Sequence, residues 1–520
     1  MAVIQTLLQK ITRFDGGMSD DPRQPVNNAG ALVKHFDVFS NPFKLTPYRS
    51  TTSDMNDGSS ATGMKTYDVR HIQLGSNGKV YGLGKNGSGY PKVVSKTSPT
   101  AANWTLEATA EGNAARILGA FIEWQGAWWF FEGTNKLSKW VIGSTVTDGV
   151  ATLGSTITTV AQFIVGGDNN LYGFYNNKVV RISPAGAVTD DCCAAIPSDM
   201  RITSVTRWGS YLMIGMAYGT SATASPTGRS QVFQWDMTST TTITDTVDWG
   251  EGALMCLGNI EGAVVGVSDK YLSSSLGLSR GSMVVRMWSG GMPSVEKEIV
   301  ANQTVTLGRF LNEVVIKNNK MYWVASVPFN LSTATESTFH LGIWSFGRKN
   351  RYSNFTLSLD YIEENVDTSN FYINSFGAAG DFWFINHSSD FSIHRTANAS
   401  TYTFTSIFET QLWNGGYTDK GLLYSDSSST KKAIGATVFF APLPSGGSVT
   451  LKYRKDEDTA FTTVFTFSTA NAIRHSAINI ESTGANLPTW KEILWRIEST
   501  GGAEVTGFKS KSEVIEDDIY

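Results

Sequence analysis

One unit recurs between residues 80 and 395 and constrains the fold more than any other feature of the sequence. It consists of an apolar strand, a turn containing Gly or Asn, and a second strand that often carries Lys, Arg or Trp, which is typical of a β-hairpin. Seven copies are present: Val80 to Val94, Trp128 to Val141, Leu171 to Ile182, Tyr211 to Asp236, Ala263 to Trp288, Met321 to Phe346 and Asp381 to Arg395. The hairpins repeat at the spacing of propeller blades, which take roughly 40–50 residues plus loops.

The predicted fold class is all-β. After about residue 12 the chain shows hardly any helical periodicity, whereas β-branched and aromatic runs recur to the end. An extra apolar strand precedes each hairpin and would form the inner part of a blade, so we predict a β-propeller of six to eight blades. A β-sandwich or a solenoid is the alternative, although it leaves more strand edges exposed. Only the stretch from Val3 to Ile11 has the spacing of a short helix.

The predicted domains are an N-terminal arm (1–30), the propeller (31–430) and a small C-terminal β-sandwich-like domain (431–520). The last boundary rests on a shift to Tyr, Asp, Ser and Lys at residues 417–432, followed by five short strands. The segments from Ala31 to Ser40 and from Thr405 to Gly415 flank the hairpins. We expect them to pair and close the ring.

Composition excludes several classes of protein. With 42 Lys+Arg against 46 Asp+Glu the formal net charge is −4, so no basic excess indicates general nucleic-acid binding. Three cysteines do not make a disulfide framework, and adjacent Cys192 and Cys193 are expected to be small buried hydrophobes. No signal peptide or membrane-spanning run is evident, so synthesis in a reducing cytoplasm is expected.

Sequence motifs for catalysis are missing. The chain has no HExxH, CxxC pair, GxSxG or GxxxxGK[ST], so no metal or cofactor is expected. A propeller glycoside hydrolase would need paired carboxylates, for which Glu363 with Glu364 and Asp245 with Asp248 are the nearest candidates. Each pair lies in a polar loop-like stretch, which favours a non-enzymatic protein.

Two regions differ in composition from the predicted blades. The stretch from Phe14 to Asn28 and the stretch from Ser40 to Gly63 are polar and rich in turn residues, which is typical of docking elements or of flexible surface loops. As docking elements they would provide a subunit interface, for which the candidate residues are Phe14, Asp20, Arg23, Pro42, Pro47, Tyr48 and Arg49.

The sequences FDGGMSDDPRQP, KHFDVFSNPFKLTPYRS, SVTLKYRKD and ILWRIES, with the hairpins between them, resemble structural proteins of tailed bacteriophages. The nearest type is the tail nozzle or tail-tube protein of short-tailed phages. The resemblance implies a virion component made in the host cytoplasm: a ring subunit, six copies in nozzle proteins, next to portal-adaptor or other tail proteins. It also implies transient passage of viral DNA through the ring, without sequence-specific binding.

Such a channel should have a neutral or acidic wall, because a basic wall would hold the passing duplex. Asp54, Asp57, Glu363 and Glu364 are the candidate lining residues. The alternative function is a glycan-binding propeller for host recognition, with Trp and Tyr on exposed blade loops. The runs WWFF (128–131) and MYWV (321–324) have that composition, but continuous apolar runs are more typical of buried strands.

Overall fold

The structure is a computed structural model. It describes residues 6–14, 16–18, 29–54, 68–85, 91–109, 119–132, 135–159, 161–193, 196–218, 228–272, 280–301, 306–307, 314–327, 341–349, 353–362, 373–387, 393–396, 402–418, 423–425, 429–478 and 488–516. These residues form strands and turns without an α-helix.

Six short strands precede the first blade: β1 (Thr6–Ile11), β2 (Gly17–Met18), β3 (Ala29–Lys34), β4 (Phe36–Asp37), β5 (Thr46–Pro47) and β6 (Thr51–Ser53). Residues 6–11 of the stretch expected to be helical therefore form strand β1, which pairs with strands from the C-terminal part of the chain on both sides. Backbone hydrogen bonds from two neighbours outweigh the weak helical pattern of so short a segment.

The described residues form seven four-stranded antiparallel blades, so the predicted β-propeller is confirmed, with seven blades. Blade 1 has β7 (Asp68–Leu74), β8 (Val80–Lys85), β9 (Pro91–Lys96) and β10 (Thr105–Thr109). Blade 2 has β11 (Gly119–Trp124), β12 (Ala127–Glu132), β13 (Lys136–Val141) and β14 (Val146–Thr152). Blade 3 has β15 (Ile164–Val165), β16 (Leu171–Tyr175), β17 (Lys178–Ile182) and β18 (Val188–Thr189). Blade 4 has β19 (Met200–Trp208), β20 (Tyr211–Tyr218), β21 (Arg229–Trp235) and β22 (Asp245–Glu251). Blade 5 has β23 (Ala253–Ile260), β24 (Ala263–Leu272), β25 (Arg280–Trp288) and β26 (Ser294–Ala301).

The last two blades complete the ring. The short strand β27 (Thr306–Leu307) precedes blade 6, which has β28 (Val315–Lys317), β29 (Lys320–Ser326), β30 (Leu341–Gly347) and β31 (Thr356–Ile362). Blade 7 has β32 (Ile373–Ala379), β33 (Phe382–His387) and β34 (Ile393–Thr396), and takes its outer strand from far upstream, since β6 pairs with β34. Each of the seven hairpins inferred from the sequence forms the second and third strands of one blade.

Buried apolar clusters fill the interfaces between neighbouring blades all around the ring. The cluster between blades 7 and 1 contains Trp104 and Phe384, so the ring is closed by packing as well as by β6. Inner strands approach closely there: a Cβ placed on Gly377 would lie 2.1 Å from the Ile72 carbonyl oxygen. The expected burial of Cys192 and Cys193 is also observed.

The second body is a β-sandwich built from both ends of the chain. Its C-terminal strands are β35 (Ser406–Thr410), β36 (Gly415–Thr418), β37 (Leu423–Ser425), β38 (Thr430–Phe440), β39 (Ser448–Lys455), β40 (Thr462–Phe467), β41 (Arg474–Ile478), β42 (Thr489–Trp490), β43 (Ile493–Thr500) and β44 (Val505–Glu516). One sheet has the order β37-β36-β1-β44-β38-β41, and the other contains β3-β35-β43-β39-β40.

The second sandwich sheet continues into the propeller, because β3 also pairs in parallel with β31, the outer strand of blade 6. The predicted divisions at residues 30 and 430 therefore do not match the sheets: strands before residue 30 and between 406 and 425 belong to the sandwich. The expected pairing of residues 31–40 with 405–415 is present as β3 against β35. This pairing lies in the sandwich, however, and the ring is closed by β6 instead.

Candidate functional site

The segment from Phe36 to Asp54, which we term the strap, connects the sandwich to the propeller. Near its middle, Leu45 and Val505 exchange backbone hydrogen bonds, with N···O distances of 2.8 and 3.1 Å. Beside them the Lys44 ammonium lies 2.9 Å from the Glu504 carboxylate. The strap is thus attached to the last sandwich strand before it reaches blade 7.

The C-terminal end of the strap closes the ring with a buried ion pair. Both carboxylate oxygens of Asp54 lie close to the Lys96 Nζ of blade 1, at 2.5 and 2.7 Å, and the side chain of Lys96 is fully buried. Arg395 of blade 7 adds its Nε at 3.5 Å, and the Trp104 indole donates to the Asp54 carbonyl at 2.8 Å. Asp54 therefore joins the first and last blades electrostatically.

A cleft of about 570 Å³ lies between blades 6 and 7, beneath the strap. The strap contributes Asp37, Tyr48 and Arg49 to its lining. Blade 6 contributes residues of β29 to β31, and blade 7 contributes the start of β33 and the end of β34. The volume is in the range of small-molecule sites, roughly 300–1,000 Å³.

The blade 6 side of the cleft carries a polar network around Asp360. The Ser358 hydroxyl donates to one Asp360 carboxylate oxygen, and the Tyr48 hydroxyl donates to the other at 3.1 Å. Burial raises the pKa of Asp360, and burial together with the Asp360 charge raises the pKa of Tyr48. Lys320 supplies the nearby positive charge, 4.0 Å from Asp37, and burial lowers its pKa.

The blade 7 side of the cleft is aromatic. Trp383 is half-buried, with its ring centroid 4.7 Å from that of Tyr322 and 5.9 Å from that of Phe376. Tyr402 also lines the cleft, and the exposed carboxylate of Asp381 lies at its rim. The cleft therefore combines aromatic surfaces with carboxylate and hydroxyl groups.

The structure places the predicted interface residues differently from the expectation. Phe14 is fully buried in the chain's own core, edge-on to Phe408 at 5.2 Å between ring centroids, so it cannot serve as an interface anchor. Pro47 is buried in β5, whereas Pro42 and Tyr48 are half-buried and Arg49 is exposed. Asp20 and Arg23 lie outside the described residues.

The strap also corrects the expectation that residues 40–63 contact only other subunits, because residues 40–54 pack on the same chain. Asp54 was a candidate channel-lining residue, and the structure instead buries it in the ring-closing ion pair. The other candidates, Asp57, Glu363 and Glu364, lie outside the described residues.

A cavity of about 360 Å³ lies at the centre of the propeller and is lined by inner strands of blades 1, 2, 6 and 7 and by residues 161–163, which lead into blade 3. The polar side chains in its described lining are His71, Gln73 and Gln162, with no Asp, Glu, Lys or Arg among the described residues there. The alternative carboxylate pair, Asp245 and Asp248, lies on the outer strand of blade 4, where exposed Asp248 pairs with Arg229 at 2.5 Å.

The interpretation of WWFF and MYWV as buried strands is confirmed, because both runs lie within β12 and β29 with every residue at most 9% exposed. Sequence reasoning missed the cleft itself. The only signal in the sequence was the pair Tyr48 and Arg49 in the strap. Nothing in the sequence distinguishes Lys320, Asp360 and Trp383 from other strand residues. None of the described segments offers a helix able to span a membrane, or a cluster of three potential metal ligands.

No protein-family model and no curated protein matches this sequence. Solved structures similar to the chain include YCF48 bound to D1 peptide, with 9% identity, a TM-score of 0.41, and coverage of 71% of this chain and 98% of that chain. The Pan2 WD40 domain of Neurospora crassa has 10% identity, a TM-score of 0.40, and coverage of 68% and 97%. An exo-β-1,3-galactanase from Phanerochaete chrysosporium has 9% identity, a TM-score of 0.30, and coverage of 89% and 100%.

Proposed function

We propose that this protein is a non-enzymatic structural subunit of a bacteriophage tail, assembling into a nozzle-like ring around the DNA exit channel. The observation that carries the proposal is the strap. It contains most of the KHFDVFSNPFKLTPYRS stretch (34–50) on which the phage resemblance rests, and through this stretch and residues 51–54 it fastens the sandwich to the propeller and closes the ring.

A subunit of a tail has to keep its shape while DNA leaves and while the particle is outside a cell. This chain has two features suited to that task. The sheet of blade 6 runs on into the sandwich through β3, and one buried apolar cluster covers blades 5 and 6 and the sandwich. Relative movement of the two bodies would break backbone hydrogen bonds and expose apolar surface, both of which cost free energy.

The central cavity of one propeller, at about 360 Å³, is too small for a DNA duplex. The proposed channel therefore lies between subunits rather than through a blade ring. Its wall is proposed to be neutral or acidic, with Asp57, Glu363 and Glu364 kept as lining candidates and Asp54 removed from that set.

Blade 5 offers a surface for contacts between subunits. Met292, in the turn before its outer strand, is 91% exposed, and Val295 and Val300 on that strand are 56% and 44% exposed. An outer strand with exposed apolar side chains is suited to burial against another chain. We assign the proposed subunit interface to this edge in place of Phe14.

The proposal is tested by analytical ultracentrifugation and negative-stain imaging of the purified full-length protein over a range of concentrations. We expect rings with a central passage, and we expect Val295→Lys to shift the protein toward monomer. Val141→Lys is the matched control, because Val141 is also an exposed valine, 43% exposed, but belongs to blade 2. A protein that stays monomeric at all concentrations, or rings without a passage, would contradict the proposal.

A further inference from the structure

We propose that the cleft between blades 6 and 7 is a binding site for a neutral saccharide. The inference is independent of the proposed tail role, since it rests on the lining of the cleft alone.

The aromatic side of the cleft suits the apolar face of a sugar ring. A pyranose presents C–H groups on one face and hydroxyls around its edge, so it packs well on a flat aromatic side chain. Trp383 is half-buried and is contacted by Tyr322, by Phe376 and by the Lys317 ammonium, which lies 5.5 Å from the ring centroid. These contacts set the orientation of the ring before a ligand arrives. A preorganised ring loses little conformational entropy on binding.

The polar side supplies hydrogen-bond partners of both kinds. Asp360 accepts hydrogen bonds from Ser358 and Tyr48 on its two carboxylate oxygens, and Ser345 adds another. A carboxylate has about four acceptor sites, so one is left for a ligand. The Tyr48 hydroxyl donates to Asp360 and still accepts. Asp381 at the rim adds an exposed carboxylate, 3.9 Å from the Lys317 ammonium. Sugar hydroxyls both donate and accept, which matches this set of groups.

The charged groups around the cleft favour a neutral ligand over a charged one. The cleft lining holds three carboxylates, those of Asp37, Asp360 and Asp381, and the guanidinium of Arg49. Two ammonium groups lie beside these carboxylates, since Lys320 is 4.0 Å from Asp37 and Lys317 is 3.9 Å from Asp381. The acidic and basic groups around the cleft therefore balance one another, and a ligand without net charge leaves that balance undisturbed.

The test uses the full-length protein with methyl glycosides of glucose, galactose, mannose and N-acetylglucosamine, and with maltose, lactose and chitobiose. Saturation-transfer NMR detects binding, and titration calorimetry measures affinity. We expect at least one neutral sugar to bind, and we expect Trp383→Ala to weaken binding about tenfold or more. Choline and glucuronate serve as cationic and anionic probes.

Trp208→Ala is the matched control, because Trp208 is another half-buried tryptophan packed on aromatic rings, but in blade 4. Asp381→Ala removes a fully exposed rim carboxylate and so leaves folding intact, which keeps the test valid if Trp383→Ala unfolds. We expect it to weaken binding as well. The inference is overturned if no neutral sugar binds, if choline or glucuronate binds instead, or if sugar affinity is unchanged in both cleft variants.

Discussion

Removing the Asp54 carboxylate should open the ring where its two ends meet. In Asp54→Ala the fully buried Lys96 ammonium and the Arg395 guanidinium lose the carboxylate that lies 2.5 and 3.5 Å away. Breaking a buried ion pair by deleting one partner typically costs about 3–5 kcal/mol, because the remaining charge stays desolvated without compensation.

The expected shift in melting temperature follows from chain length. An unfolding entropy of about 2.1 cal/mol/K per residue over 520 residues is about 1.1 kcal/mol/K, so each kcal/mol lowers Tm by about 1 °C. Asp54→Ala should therefore lower Tm by about 3–5 °C. Differential scanning calorimetry measures the shift, and hydrogen exchange should show faster opening of β34 and β9 than of blades 3 and 4.

A surface ion pair provides the comparison. Asp248 and Arg229 are also 2.5 Å apart, but both side chains are 58% exposed, so Asp248→Ala should lower Tm by about 1 °C or less. The double variant Asp54→Leu with Lys96→Met should recover part of the loss, because it removes the buried charge of Lys96 together with its partner. Equal Tm values for Asp54→Ala and Asp248→Ala would refute the role of Asp54 in ring closure.

Three further predictions concern other sites. Burial raises the pKa of Glu132 from 4.5 to about 7, so the folded state binds more protons than the unfolded state between these pH values. The free energy of unfolding therefore falls by about 3 kcal/mol as pH rises through this range. Glu132→Gln should remove this component, so its Tm should fall less between pH 5 and pH 8 than the Tm of the unmodified protein. Gly377→Ala should cost about 1–3 kcal/mol because its new Cβ collides with a backbone carbonyl, whereas Gly435→Ala, with 3.7 Å to the nearest atom, should be near neutral in the same thermal melts. Phe14→Ala should lower stability by about 3–5 kcal/mol, measured by calorimetry, and leave sedimentation unchanged; an assembly defect at full stability would restore it as an interface residue.

The seven hairpins could be predicted from the sequence because their determinants are local. In a hairpin the two strands and the turn are consecutive, so apolar alternation and a Gly or Asn turn specify the pairing without knowledge of the rest of the chain. The burial of WWFF and MYWV followed from the same pattern, since a run of apolar residues with both faces covered is a central strand.

The strap, the N-terminal strands of the sandwich and the cleft were decided by tertiary structure. Thr51 pairs with Thr396, and Leu45 forms a bridge with Val505, so the partners of a polar, turn-rich segment lie hundreds of residues away and leave no local pattern. Asp54 looks like any loop carboxylate in the sequence, and only the ring places a fully buried lysine beside it. Local periodicity determines which residues form a blade, whereas contacts between distant segments determine how the ring closes and where a ligand could bind.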